Sequence, residues 1–451
     1  MLLCACREGA SRVAAPNSST RLVVLHGDYM TGDPGVEGAQ PLVVAVRDAA
    51  GNPAAGTPIA WSATAGGIIR AESPVTDSSG IARAWWTLGD PGAGQLASAS
   101  TVSERAAFHG WVRRSPAIPL GKLVPLQMTT FDGSGQVVHP DVTFLPNGWE
   151  HGSARLAMAI TPYPYGDPRQ ENPSIFVSES GADWAVPTGE KNPVQWPQPG
   201  GFLSDPALVF EHTADELRLY YREVIGGDNV VRLVTTTDGV QWSMPRETVR
   251  VPLYGLISPT VVRRSATRWL MWSVDGGRWG CSNEDAKVDL RRSEDGVHWD
   301  APTRVVLNQP GGYPWHIDVK WIESFHEYWA LYNLKLNGMC ATPAVYLATS
   351  PDGVEWKTYR NPVLQRGAIP EFADVVYRSS FEYTKADDMV TFYFSGARWD
   401  GAGYVWRGAL QRRSRAELFA DLERATTTPL RRPRIGLPSP ERFVGGSVRE
   451  Y

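Results

Sequence analysis

Carboxylates and imidazoles recur at corresponding points along this 451-residue chain. The strings are His139-Pro140-Asp141, Ser204-Asp205-Pro206, Ser258-Pro259, Trp315-His316-Ile317-Asp318 and Tyr377-Arg378-Ser379-Ser380. Each opens a strand-like run. If those runs share one register, Asp141, Asp205 and Asp318 converge on a single hollow. Carboxylates that close repel and shift one another's pKa, which is costly for stability and common where protons are handled. His139, Trp315, His316, Asp318 and Arg378 stand beside them as binding groups, with flat aromatic faces for the apolar sides of a ligand and polar groups for its hydroxyl or acidic substituents. Three more carboxyls lie near the ends of neighbouring strands: Glu223 in Tyr221-Arg222-Glu223, Glu171 before Asn172-Pro173, and Asp275 after Trp272-Ser273. Alternation lets only one of Arg222 and Glu223 face a shared hollow, and Glu223 is the expected one. Nothing has the ligand spacing of a zinc site, so no metal ligands are assigned from spacing.

The elements that must position these groups announce themselves by a repeat. Ser178-Glu179-Ser180-Gly181-Ala182-Asp183-Trp184, Thr236-Thr237-Asp238-Gly239-Val240-Gln241-Trp242, Ser293-Glu294-Asp295-Gly296-Val297-His298-Trp299 and Ser350-Pro351-Asp352-Gly353-Val354-Glu355-Trp356 are four versions of one string. Their tryptophans are 58, 57 and 57 residues apart, the mark of a repeated supersecondary unit. Each string follows an alternating strand, and its glycine supplies the positive φ of a tight turn. The tryptophan then covers a neighbouring sheet and is a packing residue. Two further strand-like runs per repeat give four-stranded units. The expected class is all-β, with a five-bladed β-propeller over 124–414. The last blade lacks the string, and Val124–Phe131 is expected to supply its outer strand and close the ring.

Residues 21–113 read as a separate β-sandwich. Short strands are expected at Arg21–His26, Pro41–Arg47, Thr57–Ala63, Gly80–Leu88, Gln95–Thr101 and Ala106–Val112, with turns between them. Asp48 and Asp77 read as turn residues. The strings Val46-Arg47-Asp48-Ala49-Ala50-Gly51-Asn52-Pro53, Gly56-Thr57-Pro58-Ile59-Ala60-Trp61 and Thr76-Asp77-Ser78-Ser79-Gly80-Ile81-Ala82 resemble bacterial immunoglobulin-like domains of the invasin type, which implies a spacer or adhesive stalk. Residues 1–20 form a lipoprotein-like start and tether: Leu3-Cys4-Ala5-Cys6 resembles the end of a lipoprotein signal with Cys6 as the lipid-bearing residue, which implies an extracellular, surface-held protein. Cys281 and Cys340 stand about one repeat apart, and a disulfide is expected. Residues 415–451 hold one short helix, Arg415–Arg424, and a Pro- and Arg-rich tail.

Over 125–414 the plan resembles the five-bladed propeller glycoside hydrolases, the arabinanase and β-xylosidase group with its invertase-like relatives. His139-Pro140-Asp141 and Ser204-Asp205-Pro206 match that pattern best. The resemblance implies Asp141 as base or nucleophile and Asp205 as the residue that orients the sugar and tunes the proton donor. The donor glutamate of blade three is missing here. Glu223 is the favoured substitute, with Glu171 and Asp275 as alternatives. Such an enzyme needs one protonated and one ionised carboxyl. Some relatives hold a structural calcium ion in the channel, to which His316 and Asp318 would contribute. The expectation is a glycosidase acting on a poly- or oligosaccharide, with a non-catalytic carbohydrate-binding or adhesion protein as the rival. The Asp-Gly strings also resemble the sialidase turn, but no cluster of three arginines accompanies them. With 44 basic and 48 acidic residues, the chain has no nucleic-acid footprint, and no run has the apolar length of a membrane helix.

Overall fold

The computed structural model describes residues 20–424, apart from 92–93, 253, 308–310 and 336–339. The lipoprotein-like start with Cys6 and the tail from 425 onward lie outside the described residues. The chain is mostly β-sheet, with one α-helix among the described residues, Arg415–Glu423.

Residues 21–112 form eight strands: β1 (Arg21–His26), β2 (Met30–Gly32), β3 (Leu42–Arg47), β4 (Ala60–Ala63), β5 (Ile68–Ala71), β6 (Ile81–Thr87), β7 (Gln95–Ser100) and β8 (Arg105–Val112). They pair as two sheets, β1-β3-β6-β5 and β2-β8-β7-β4. Both sheets send apolar side chains into one core, Leu42, Val44 and Trp86 from the first against Ala97, Ala99 and Phe108 from the second. Asp48 accepts from the backbone N–H of Ala50 and Asn52, and Asp77 from those of Ser79 and Ile81. Both are the turn residues expected of short Asx side chains.

Among the described residues, the rest of the chain builds five sheets in succession. After the short β9 (Leu123–Pro125), the first contains β10 (Val137–Trp149), β11 (Ala154–Pro162) and β12 (Ser174–Ser178). The second runs β13 (Phe202–Glu211), β14 (Glu216–Ile225), β15 (Asp228–Thr236) and β16 (Arg246–Pro252). The third has β17 (Ile257–Ser265), β18 (Arg268–Asp275), β19 (Lys287–Ser293) and β20 (Thr303–Arg304). The fourth has β21 (Tyr313–Ile322), β22 (Glu327–Lys335), β23 (Ala344–Ser350), β24 (Lys357–Thr358) and β25 (Leu364–Gln365). The fifth has β26 (Val375–Val376), β27 (Ser380–Thr384), β28 (Met389–Trp399) and β29 (Tyr404–Ser414), and takes β9 as its outer strand. Of the expected closing strand Val124–Phe131 only Val124 and Pro125 pair with β29, in a strand that starts at Leu123 and lies opposite Gln411–Ala409. The first strands of the sheets lie next to one another in turn: β10 beside β13, β13 beside β17, β17 beside β21, β21 beside β27, and β27 beside β10. They therefore ring an axis, and residues facing that axis meet across it whatever their separation in sequence.

The repeated strings act as clasps between sheets. In three of them the Asp side chain accepts from two backbone N–H groups of its own turn, as Asp295 does from Val297 and His298. The turn glycine has positive φ in all four, between 74° and 82°. In three of them its carbonyl accepts from an aromatic side chain of the preceding sheet: Tyr220 Oη to Gly296 at 2.8 Å, Trp272 Nε1 to Gly353 at 2.8 Å, and Tyr393 Oη to Gly181 at 3.0 Å. In the same three the tryptophan packs edge-on against that aromatic, Trp299 on Tyr220, Trp356 on Trp272 and Trp184 on Tyr393. A side chain on the glycine would enter that ring, since a Cβ at Gly353 falls 2.5 Å from Trp272.

Two further ties matter to the site. Cys281 and Cys340 are bonded, with Cα atoms 5.0 Å apart, linking the β18–β19 and β22–β23 connections. Arg113, just past β8, reaches into the ring and donates to Glu382 Oε2 at 3.0 Å and to the Tyr383 carbonyl at 2.9 Å.

Candidate functional site

Each first strand is the inner edge of its sheet, so its axial side needs no ladder partner and tolerates proline. Pro140, Pro206 and Pro259 sit there, and the pairing register slips at each of them. The residue before each proline has left-handed backbone: His139 at φ 58°, Asp205 at 49° and Ser258 at 52°. This conformation is unfavourable for non-glycine residues, and a bulge of this kind re-aims a side chain. Three sheets thus spend backbone strain to direct the same position, and strain of this sort gathers at functional sites.

The bulges sort the axial residues into two levels. At the first level His139 Nε2 lies 3.6 Å and His316 Nδ1 3.5 Å from Asp205 Oδ1. Arg378 Nη1 is 3.7 Å from the same oxygen, and Arg222 Nε is 2.8 Å from Oδ2. His139, Asp205 and His316 each offer a ligand atom, all within 4.8 Å of one another and all buried. Neither oxygen of Asp205, neither ring nitrogen of His316, nor Nε2 of His139 has a hydrogen bond of good geometry to a protein partner. Buried polar atoms are normally satisfied; apart from Asp205 Oδ2, which faces Arg222, these atoms mark a place built for something else. Glu171, in the loop after β11, is buried with Oε1 3.9 Å from His139 Nδ1.

The electrostatics fit ligand-ready groups. Burial opposes ionisation of Asp205, but the Arg222 guanidinium and the two imidazoles outweigh it and hold the carboxyl well below its usual range. Burial, together with the two arginines, pushes His139 and His316 down despite Asp205, so both imidazoles are neutral. Burial and then the charge of Asp205 push Glu171 up to about 8. Trp315, Tyr377 and Tyr163 line the same level: the Tyr377 ring meets the His316 ring edge-on at 4.2 Å, and Trp315 Nε1 donates to Tyr377 Oη at 3.3 Å.

At the second level, two residues further along the strands, Asp141 and Asp318 share the Ser380 hydroxyl at 3.3 and 2.9 Å. Lys320 Nζ donates to Asp141 Oδ1 at 2.6 Å and to the Val142 carbonyl at 2.7 Å, and lies 3.9 Å from Asp318 Oδ1. Asp141 Oδ2 accepts from the Leu208 N–H at 2.9 Å, and Asp318 Oδ1 from Thr260 Oγ1 at 3.1 Å. Burial, opposed by Lys320, pushes Asp318 up to about 6. Burial alone would favour neutral Lys320, yet Asp141 and Asp318 overcome it and raise its affinity for the proton.

This arrangement corrects several expectations. Asp141, Asp205 and Asp318 do not share one level: Asp141 and Asp318 form a satisfied, lysine-bridged pair, and Asp205 stands apart with the histidines. The strings must be aligned on their prolines, which puts His139 and not Asp141 opposite Asp205. Asp141 is therefore no free base or nucleophile. Glu223 points away from the centre and pairs with Arg232 at 2.8 Å, because period-two alternation gives the axial side to Arg222. Asp275 accepts from Arg304 and from the Gly277 N–H at the end of β18, outside the cluster. His139, His316, Arg378, Trp315 and Glu171 do assemble with Asp205. The reading without metal ligands overlooked the His139–Asp205–His316 trio, because its members come from three different sheets and leave no local spacing. Arg222 and Lys320 were missed as well; Arg222 was legible as the alternative to Glu223.

No family model matches the chain. A curated relative, the A type blood N-acetyl-alpha-D-galactosamine deacetylase of Flavonifractor plautii, is 29% identical over 332 residues, which cover 63% of this chain and 42% of that protein. The chain thus spans less than half the length of that relative. The crystal structure of an N-acetylgalactosamine deacetylase from F. plautii in complex with blood group B trisaccharide superposes with a TM-score of 0.60 at 24% identity, covering 67% of this chain and 97% of that one. A xylan beta-1,4-xylosidase from Bacillus halodurans C-125 gives a TM-score of 0.48 at 15% identity, covering 65% of this chain and 54% of that one. The superposition on the deacetylase structure shows that the two share a fold.

Proposed function

We propose that the chain is a carbohydrate N-deacetylase, with a five-bladed propeller as its catalytic body and residues 21–113 as an immunoglobulin-like spacer at an extracellular surface. The observation that carries this reading is the buried trio His139, Asp205 and His316, whose ligand atoms converge within 4.8 Å with no protein hydrogen bond at the converging atoms. Two neutral imidazoles and one carboxylate suit a transition-metal dication better than the calcium implied by the glycosidase resemblance, since calcium prefers oxygen ligands throughout. Such an ion, when bound, supplies Lewis acidity toward an amide carbonyl and a lowered pKa for water.

The chain's own residues then have separable tasks. Arg222 fixes the orientation of the Asp205 carboxylate. Arg378, fully buried with no hydrogen bond at Nε or Nη1 and with Nη1 3.7 Å from Asp205 Oδ1, places its guanidinium where an amide oxygen would gain negative charge. Glu171 holds its proton at neutral pH and is the group available to protonate a departing amine. Tyr377, half-buried beside the centre and backed by buried Trp315, is the ring available to a sugar.

A second reading, glycoside hydrolysis, is favoured by one specific feature: Glu171 is held protonated and Asp205 ionised side by side, the division of labour a glycosidase needs. Product analysis separates the two. Incubation with A-type trisaccharide and N-acetylated oligosaccharides is expected to release acetate without new reducing ends, and Asp205→Asn is expected to lower that rate at least a hundredfold while the protein stays folded. New reducing ends without acetate would reject deacetylation.

A further inference from the structure

An unbroken run of aromatic rings leads from the protein surface to the His139–Asp205–His316 centre. At its inner end Tyr377 meets His316 at 4.2 Å and His139 at 5.3 Å between ring centroids. Trp406 follows at 5.1 Å from Tyr377, with Tyr163 at 5.2 Å on its other side. Tyr404 lies 6.4 Å from Trp406, and Trp399 lies 5.3 Å from Tyr404 at the solvent end. Along the run Tyr377 is half-buried, Trp406 buried, Tyr163 and Tyr404 half-buried, and Trp399 exposed.

A second exposed ring flanks the outer end. Tyr165 is 60% exposed, and a Cβ on Gly403, the neighbour of Tyr404, would come within 3.2 Å of its ring. Tyr165 also has left-handed backbone at φ 53°, a conformation that costs free energy in a non-glycine residue. The loop that holds it there is tied down by Gln136, whose Oε1 accepts from both the Tyr165 and Trp406 N–H groups. The same loop carries Tyr163 and Glu171, so outer platform and centre are built from one segment. Other exposed aromatics are differently placed: Trp279 stacks under Arg278, and Trp196 meets Phe131. Among the described residues, their ring contacts do not continue to the centre.

We infer that Trp399 and Tyr165 form a distal sugar-binding subsite of the same site, so that the substrate is an oligosaccharide with its reacting residue at the centre and its outer part on these two exposed rings, which buried Trp406 supports from beneath. This rests on the proposed carbohydrate chemistry of that centre. Exposed aromatic faces continuous with a buried polar centre are what a chain of alternating apolar faces and hydroxyl edges requires. Asp400 and Arg398 border the platform at the β28–β29 turn and offer hydrogen-bonding groups for ring hydroxyls. The predicted consequence is length dependence: a monosaccharide reaches only the inner end, whereas longer glycans gain the outer contact.

The test uses the full chain, wild type against Trp399→Ala and Tyr165→Ala, with N-acetylgalactosamine, A-type trisaccharide and chitotetraose as probes. Both residues are exposed, so thermal unfolding of the variants should match wild type. The expected result is a tenfold or greater rise in KM for the oligosaccharides in Trp399→Ala, with kcat within twofold and the monosaccharide unaffected. Equal KM in variant and wild type for every oligosaccharide, or an equal loss for monosaccharide and oligosaccharide, overturns the subsite. Should wild type release no acetate from any probe, the deacetylase reading falls, and calorimetric titration of the same oligosaccharides decides the subsite separately. Binding lost on Trp399→Ala supports it; binding unchanged, or absent in wild type, overturns it.

Discussion

Lys320→Met removes the cation that lets two carboxylates lie buried on the axis. In the wild type the ammonium bonds Asp141 at 2.6 Å and sits 3.9 Å from Asp318, and the two acids are joined by one serine hydroxyl. Methionine fills much the same volume but leaves two adjacent carboxyls without a counter-ion. Breaking a buried pair by deleting one partner costs about 3–5 kcal/mol. For a body of this size that corresponds to a fall in melting temperature of about 6–10 °C. The assay is thermal unfolding at several pH values, followed by circular dichroism. Loss should be greatest above pH 7 and smaller near pH 5, where Asp318, already raised to about 6, takes up a proton and relieves the repulsion. Adding Asp141→Asn to Lys320→Met should restore part of the stability, because the orphaned charge is removed with its partner. A change in melting temperature below about 2 °C, equivalent to roughly 1 kcal/mol, would refute the reasoning, as would a double variant less stable than the single.

Two further outcomes follow from the same geometry. Gly353→Ala combines left-handed backbone with a Cβ driven into Trp272, and should cost about 2–4 kcal/mol, read as a shift in urea midpoint at unchanged slope; Gly367→Ala, which has similar φ but open space, should cost only the backbone share. Glu382 binds its proton more tightly when folded, at about 7 against 4.5, mainly because it is buried, although Arg113 and Lys320 oppose this. Between those values the folded state holds more protons than the unfolded, so stability falls as pH rises through the window, by at most about 3 kcal/mol from this group. Glu382→Gln should therefore flatten the decline of melting temperature between pH 5 and 7; an unchanged slope would contradict the assignment.

The sheets were legible because their signal is local and repeated. Asp-Gly turns with a tryptophan three residues on from the glycine mark where each third strand ends, and the near-constant spacing gives the count of strands between them. What the repeat could not reveal is that Gly353 and its counterparts bind backward, to aromatics of the preceding sheet. The closing strand was readable in part: the last sheet lacks the Asp-Gly string and takes its outer strand from the start of the region, but of Val124–Phe131 only Val124 and Pro125 pair with β29. The site was half readable. His139, His316 and Arg378 stood out as polar residues opening otherwise apolar strands. The error lay in register: counting aspartates aligned Asp141 with Asp205, whereas the prolines that follow His139, Asp205 and Ser258 carry the true alignment, because the bulge is tied to the X-Pro step. A shift of two residues preserves the face and changes the depth, so alternation gave no warning. Arg222 against Glu223 is the opposite case. There one residue decides the face, and pairing with Arg232 took Glu223 to the other side.

The central claim is that His139, Asp205 and His316 hold a divalent ion that serves amide hydrolysis on a sugar. Its most direct test is acetate release from A-type trisaccharide by chelator-treated full-length protein, before and after adding back zinc, manganese or cobalt, with metal content measured on the same samples. The account predicts about one bound metal per chain, activity lost on chelation and restored by at least one of the three ions, and neither metal nor activity in folded His316→Ala. Acetate release unaffected by complete metal removal, or full metal content in His316→Ala, would contradict it.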